Sequence, residues 1–148
     1  EARITIFGGA AIALAYDPAR DATIFVYSFG GHREDVLDAA HAVGQRRGYP
    51  PDWFNDRALA WWPTVGDPEP GSVRTSGSVT IEIASAEVLL AMKLRAVRGP
   101  RDIDDIETLA RHANVRSVEE ARAVFERYYP EDPFTARAEA AAGRIQRT

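Results

Sequence analysis

The chain has no cysteine, one methionine and a single lysine among its 148 residues. The absence of cysteine excludes a disulfide framework and any Cys-ligated metal site. No apolar run approaches the roughly 18 residues that a membrane-crossing helix needs. No charged-then-apolar segment of the secretory kind opens the sequence. The expectation is a soluble, cytoplasmic protein with no membrane partner. Positive charge is not in excess either: the formal net charge is −4. That argues against a bulk nucleic-acid coat protein, though not against RNA met at one local basic patch. The 45% hydrophobic content is enough for the core of one ordinary domain covering 1–148.

The scarcity of lysine points to one stretch. Seventeen of the eighteen basic residues are arginine, so Lys93 stands out. A compact, strongly hydrated ammonium on a flexible stem is not interchangeable with a planar guanidinium. Lys93 lies inside an apolar helical pattern of Leu89, Leu90, Met92, Leu94 and Val97, and Gly99-Pro100 breaks that pattern. A carboxylate group of Asp102, Asp104 and Asp105 follows. One reading is a Lys snorkelling from a core helix towards an Asp-rich helix start. The other is a cation kept for chemistry.

Along the chain, residues 3–7 (Arg-Ile-Thr-Ile-Phe) predict a strand, Gly8-Gly9 a tight turn, and residues 10–16 a helix. The turn lets the backbone approach something closely, either an anion at the helix N-terminus or a packed neighbour. A break at 17–21 precedes a second strand over 23–29, rich in β-branched and aromatic residues. A helix over 34–47 places Val36, Leu37, Ala40 and Val43 on one face. His32 and His41 read as surface residues. Residues 49–56 read as a helix start that Asp52 caps. Trp53, Phe54, Trp61 and Trp62 form an aromatic group that serves either the core or base stacking. Residues 63–78 predict a loop carrying at most a short strand at 72–75, and residues 78–84 alternate as a strand. Helices follow from a Ser85 cap to about Arg98, from an Asp102 cap over 103–112, and from a capping-box-like Ser117 start over 118–128, with a helical tail over 133–148. The fold class is therefore α+β: a small mixed sheet with helices packed on it, about 1–84, and a helical C-terminal end, about 85–148.

Taken together, Ile6-Phe-Gly-Gly-Ala-Ala-Ile-Ala-Leu-Ala-Tyr16, the Arg20-x-x-Thr23 strand, Pro51-Asp-Trp-Phe-Asn-Asp56, Leu89-Leu-Ala-Met-Lys-Leu94, Arg101-Asp-x-x-Asp-Ile106 and Glu126-Arg-Tyr-Tyr-Pro130 resemble a small bacterial group of nucleotidyltransferase-like proteins. That group is related to the AbiEii-type nucleotidyltransferase toxins of the polymerase-β-like superfamily. The resemblance implies a toxin–antitoxin protein that transfers a nucleotide from a nucleoside triphosphate to RNA (tRNA) or protein with Mg²⁺. It implies Gly8 and Gly9 as the phosphate turn, with Arg20, Thr23 and Lys93 as further nucleotide-binding residues. Lys93, Asp102 and Asp105 are then the catalytic candidates, and Asp102 and Asp105 are the only metal candidates.

One departure divides the expectations. The second strand of that superfamily carries an acidic-x-acidic pair that holds the metal, and this strand reads Phe25-Val26-Tyr27. Phe offers no oxygen, and a Tyr phenol stays protonated at neutral pH. The chain is then either a transferase with another metal arrangement, or an inactive relative that binds nucleotide, RNA or a cognate partner protein. The third option is an interaction protein whose Lys93 and Asp residues form an ordinary ion pair.

Overall fold

The structure, a computed structural model, describes residues 2–20, 33–63, 65 and 68–145, together with the backbone of 25–29. The fold is α+β, with the strands early and most of the helices late. It divides into two compact units. One holds residues 1–60 and 70–84, the other residues 61–69 and 85–148.

The first unit is built on a four-stranded mixed sheet. β1 (Ala2–Phe7), β2 (Phe25–Phe29), β3 (Pro70–Ser76) and β4 (Val79–Ala84) lie in the order β2-β1-β4-β3. β1 runs antiparallel to β2 and parallel to β4, and β3 returns antiparallel along β4. The parallel pair requires a long crossover, which here includes helices α1 (Gly8–Ala15) and α2 (Arg33–Arg47). β3 and β4 meet at a two-residue turn whose first residue, Gly77, has φ +59°. That left-handed backbone favours glycine. Phe7 and Ile12 are fully buried, and the Tyr16 hydroxyl ties the end of α1 to the end of β4 by donating to the Ala84 carbonyl at 2.9 Å.

The second unit is helical: α3 (Ala86–Ala96), α4 (Pro100–His112), α5 (Val118–Tyr128) and α6 (Ala136–Ala142). Its core is closed. Val88, Leu90, Ile106, Leu109, Ala121 and Ala142 have no exposed surface. Capping residues set the helix starts. Ser85, Ser117 and Thr135 accept from the N–H groups of Val88, Glu120 and Ala138. The Glu120 carboxylate reaches back to the Arg116 N–H at 2.6 Å, so the expected box closes one residue earlier than its usual form.

Several local expectations need correction, among them the tail expected to be helical over 133–148, which among the described residues is α-helical only over Ala136–Ala142. Residues 49–56 do not start a helix. Asp52 accepts from the Arg57 guanidinium at 3.1 Å, and a short 3₁₀ turn covers Arg57–Trp61. The short strand expected at 72–75 extends over Pro70–Ser76 as an exposed edge strand, because pairing with β4 supplies the regularity its mixed composition lacks. Asp102 does not cap α4. Pro100 occupies the first helical turn with Gly99 before it, so Asp102 falls inside the helix.

Candidate functional site

The most tightly built polar cluster in the described residues is the one around Lys93. On α3, Lys93 falls one turn beyond Leu89 and Leu90, on the same buried face. An ammonium there must find anions, because an unpaired buried charge is very costly. Gly99-Pro100 starts α4 immediately after α3. Asp102 and Asp105, three residues apart on one face of α4, meet the ammonium. Lys93 Nζ lies 2.6 Å from Asp102 Oδ1 and 2.8 Å from Asp105 Oδ2. Asp102 and Asp105 are buried and Lys93 is half-buried, with side-chain exposures of 8%, 4% and 12% respectively. The second Asp102 oxygen accepts from the Arg98 N–H at 2.9 Å and from its guanidinium at 3.4 Å. Burial pushes the Asp102 carboxyl up. The hydrogen bond and charge of Lys93, with the Arg98 N–H, outweigh it and hold the group below its ordinary value of 3.8.

The sequence thus brings Lys93, Asp102 and Asp105 together, as an internal ion cluster and not as a snorkelling side chain. Arg98 was not anticipated, since its backbone contact to Asp102 depends on the tightness of the α3–α4 turn. The cluster does not fit Mg²⁺. Each carboxylate has an oxygen on the ammonium, and a dication placed there would face that positive charge directly. Among the described residues no group of three His, Cys, Asp or Glu could hold a metal ion.

The two glycines lie in the other unit, where they form no separate turn between strand and helix: α1 begins at Gly8 itself, so the expected turn is the first turn of the helix. Phe7 precedes α1 and provides no side-chain cap, and the first turn of α1 contains no acidic residue. Gly8 has φ +68°. Arg20 Nη1 donates to the Gly9 carbonyl at 3.0 Å, and a Cβ on Gly9 would lie 2.6 Å from that nitrogen. Gly9 therefore leaves room for a guanidinium against the start of α1. The positive end of the helix and the Arg20 charge come together, surroundings that favour an anion. Thr23 lies outside the described residues. The register sets Phe25 opposite Phe7 and Tyr27 opposite Thr5, so the strand positions expected to be acidic run beside the end of β1 that leads into the glycine turn.

Two features escaped the sequence reading. Glu82 on β4 stands opposite Thr5 and meets Arg3 at 3.5 Å. Its signal was a lone carboxylate in an otherwise uncharged strand. In the helical unit, the Arg95 guanidinium lies over the rings of Tyr129 and Trp61, and its Nε donates to Asp132 at 2.6 Å. Tyr129 donates to the Trp61 carbonyl. Burial raises the Tyr129 phenol well above its ordinary value despite the Arg95 charge. These partners are up to 68 residues apart, beyond any local pattern. The aromatics therefore divide: Trp61 belongs to this cluster at 39% exposure, while Trp53 hydrogen-bonds to α2 through the Ala40 carbonyl at 3.0 Å. Comparison with family models, with curated proteins and with solved structures finds no match to this chain.

Proposed function

We propose that the chain is a nucleotidyltransferase-like protein of the toxin–antitoxin kind that binds the phosphates of a nucleotide at the Gly8-Gly9 turn without transferring it. The observation that carries this reading is the joining of the α1 N-terminus, free of a capping side chain and of acidic residues in its first turn, with the Arg20 guanidinium held at 3.0 Å from the Gly9 carbonyl. Phosphate oxygens suit both: backbone N–H groups for hydrogen bonding and a planar cation for charge. The order β1, glycine turn, α1, β2 is also the order that the resemblance implies.

Loss of transfer is favoured by a second observation. The candidate metal ligands Asp102 and Asp105 are paired to Lys93, and the strand positions where the resemblance expects carboxylates are Phe25 and Tyr27. In this reading Lys93 holds the helical unit together and does not touch phosphate. A tRNA end or a cognate partner protein is then what the bound nucleotide helps to recognise.

The test is calorimetric titration with each of the four nucleoside triphosphates in EDTA, beside a labelling assay with Mg²⁺, total tRNA and cell protein. The expected result is binding in EDTA, weakened by Arg20→Gln, and no labelled product. Labelled product from the natural sequence would overturn the loss of transfer, and the absence of nucleotide binding would overturn the reading as a whole.

A further inference from the structure

The helical unit carries a cavity of its own, and nothing about it depends on nucleotide binding at α1. It lies where α4 ends and has a volume of about 410 Å³, within the range of small-molecule pockets. Ala110, Val115 and Ile145 form the apolar part of its lining, and all three are buried. Glu107, Arg111, Asn114 and Arg116 form the polar part.

The wall is fixed by the way α4 stops. Asn114 has φ +57°, the left-handed conformation in which many helices end. Its N–H donates to the Arg111 carbonyl at 3.2 Å, and the Val115 N–H donates to the Ala110 carbonyl at 2.8 Å. These two bonds close the last turn from within. The wall therefore takes its shape without an occupant, and those two carbonyls already have N–H partners.

The charges on the lining are not equally engaged. The Glu107 carboxylate meets the Arg144 guanidinium at 3.1 Å. Arg111 and Arg116 are exposed, and among the described residues neither forms an ion pair. Arg111 reaches the Thr108 hydroxyl at 3.2 Å. Arg116 bonds to Glu120 through its backbone N–H and not through its guanidinium. An occupant thus meets two guanidinium groups without a carboxylate, and one carboxylate that has its own cation. Each guanidinium offers the planar fork that matches a carboxylate. A single negative charge suits this lining, because a dianion would be repelled twice as strongly by Glu107.

We infer that this cavity binds a small organic monocarboxylate, with its apolar body on Ala110, Val115 and Ile145 and its carboxylate at Arg111 and Arg116.

The test is calorimetric titration of the full chain with 2-naphthoate, using 2-naphthamide as an uncharged control of the same shape. The carboxylate is expected to bind about fivefold more tightly than the amide, as suits ion pairing at exposed arginines. The Ile145 methyl resonances, assigned with Ile145→Val, give the location and are expected to shift with 2-naphthoate. The double variant Arg111→Gln/Arg116→Gln should bind the carboxylate no better than the amide. Arg74→Gln, at an exposed arginine of β3, should leave the preference intact. All three arginines are exposed, so the circular dichroism of these variants should match that of the natural chain. Failure of 2-naphthoate to bind, equal binding of the two probes, unmoved Ile145 resonances, a preference that survives the double variant, or one that Arg74→Gln also removes would each overturn the inference.

Discussion

At the scale of single residues, Lys93 has the clearest consequences. Its ammonium pairs with two carboxylates inside the helical unit. Replacing it with Met removes the cation and leaves both anions buried. Breaking a buried pair from one side costs about 3–5 kcal/mol, and a urea unfolding curve of Lys93→Met should show a loss of that size. A surface ion pair would show under about 1 kcal/mol, so the measurement separates the two situations. Asp102 adds a pH dependence whose sign follows from its lowered value. A carboxyl depressed by folding contributes stability in full above its unfolded value, here 3.8, and loses it as pH falls through the lower folded value. Acid should therefore destabilise the natural protein more steeply than Asp102→Asn below that pH, read as the urea midpoint at pH 7 and at pH 3. Parallel acid limbs would remove Asp102 from the account.

At the scale of elements, the two buried glycine contacts predict opposite outcomes. A Cβ at Gly9 meets the far end of a flexible arginine, which can swing aside. Gly9→Ala should leave the melting temperature within a few degrees of the natural protein while weakening nucleotide binding, because Arg20 is displaced from the α1 start. A Cβ at Gly44 meets a hydrogen-bonded indole. Gly44→Ala should destabilise the sheet-containing unit by about 1–3 kcal/mol, the usual range for overpacking, with a shift in tryptophan emission. The elements also show what local sequence can carry. α3, α5 and the β1-α1-β2 order were legible because periodicity, Ser caps and glycines are local signals, although the two glycines open α1 and do not precede it. The 3₁₀ turn at Arg57–Trp61 was not, since Asp52 bonds to Arg57 five residues on where a helix cap would bond its own first turn. The length of β3 was not legible either, because Ser72-Val-Arg-Thr-Ser76 has little β character and its regularity comes from β4. Within the site, the sequence singled out Lys93, Asp102 and Asp105 correctly as a group. It could not tell an outward-facing ligand set from an inward-facing cluster, because that depends on how closely α4 folds back on α3.

At the scale of the whole molecule, the two units differ in how completely each buries its apolar surface. The helical unit has a continuous set of side chains at or near zero exposure, on every one of α3, α4 and α5. In the other unit α2 buries only Ala40 and Gly44, β3 is exposed along almost its whole length, and the apolar wall beneath α2 remains half-open. Local opening is easiest where few apolar contacts must be broken. Amide hydrogen exchange should therefore be slowest in α3, α4 and α5 and much faster in α2 and β3, with β1 and β4 between them because each is hydrogen-bonded on both edges. Equal protection of α2 and α4 without ligand would mean that the sheet–α2 layer is closed in solution. The incomplete burial of α2 and β3 would then have no counterpart in the energetics of the chain.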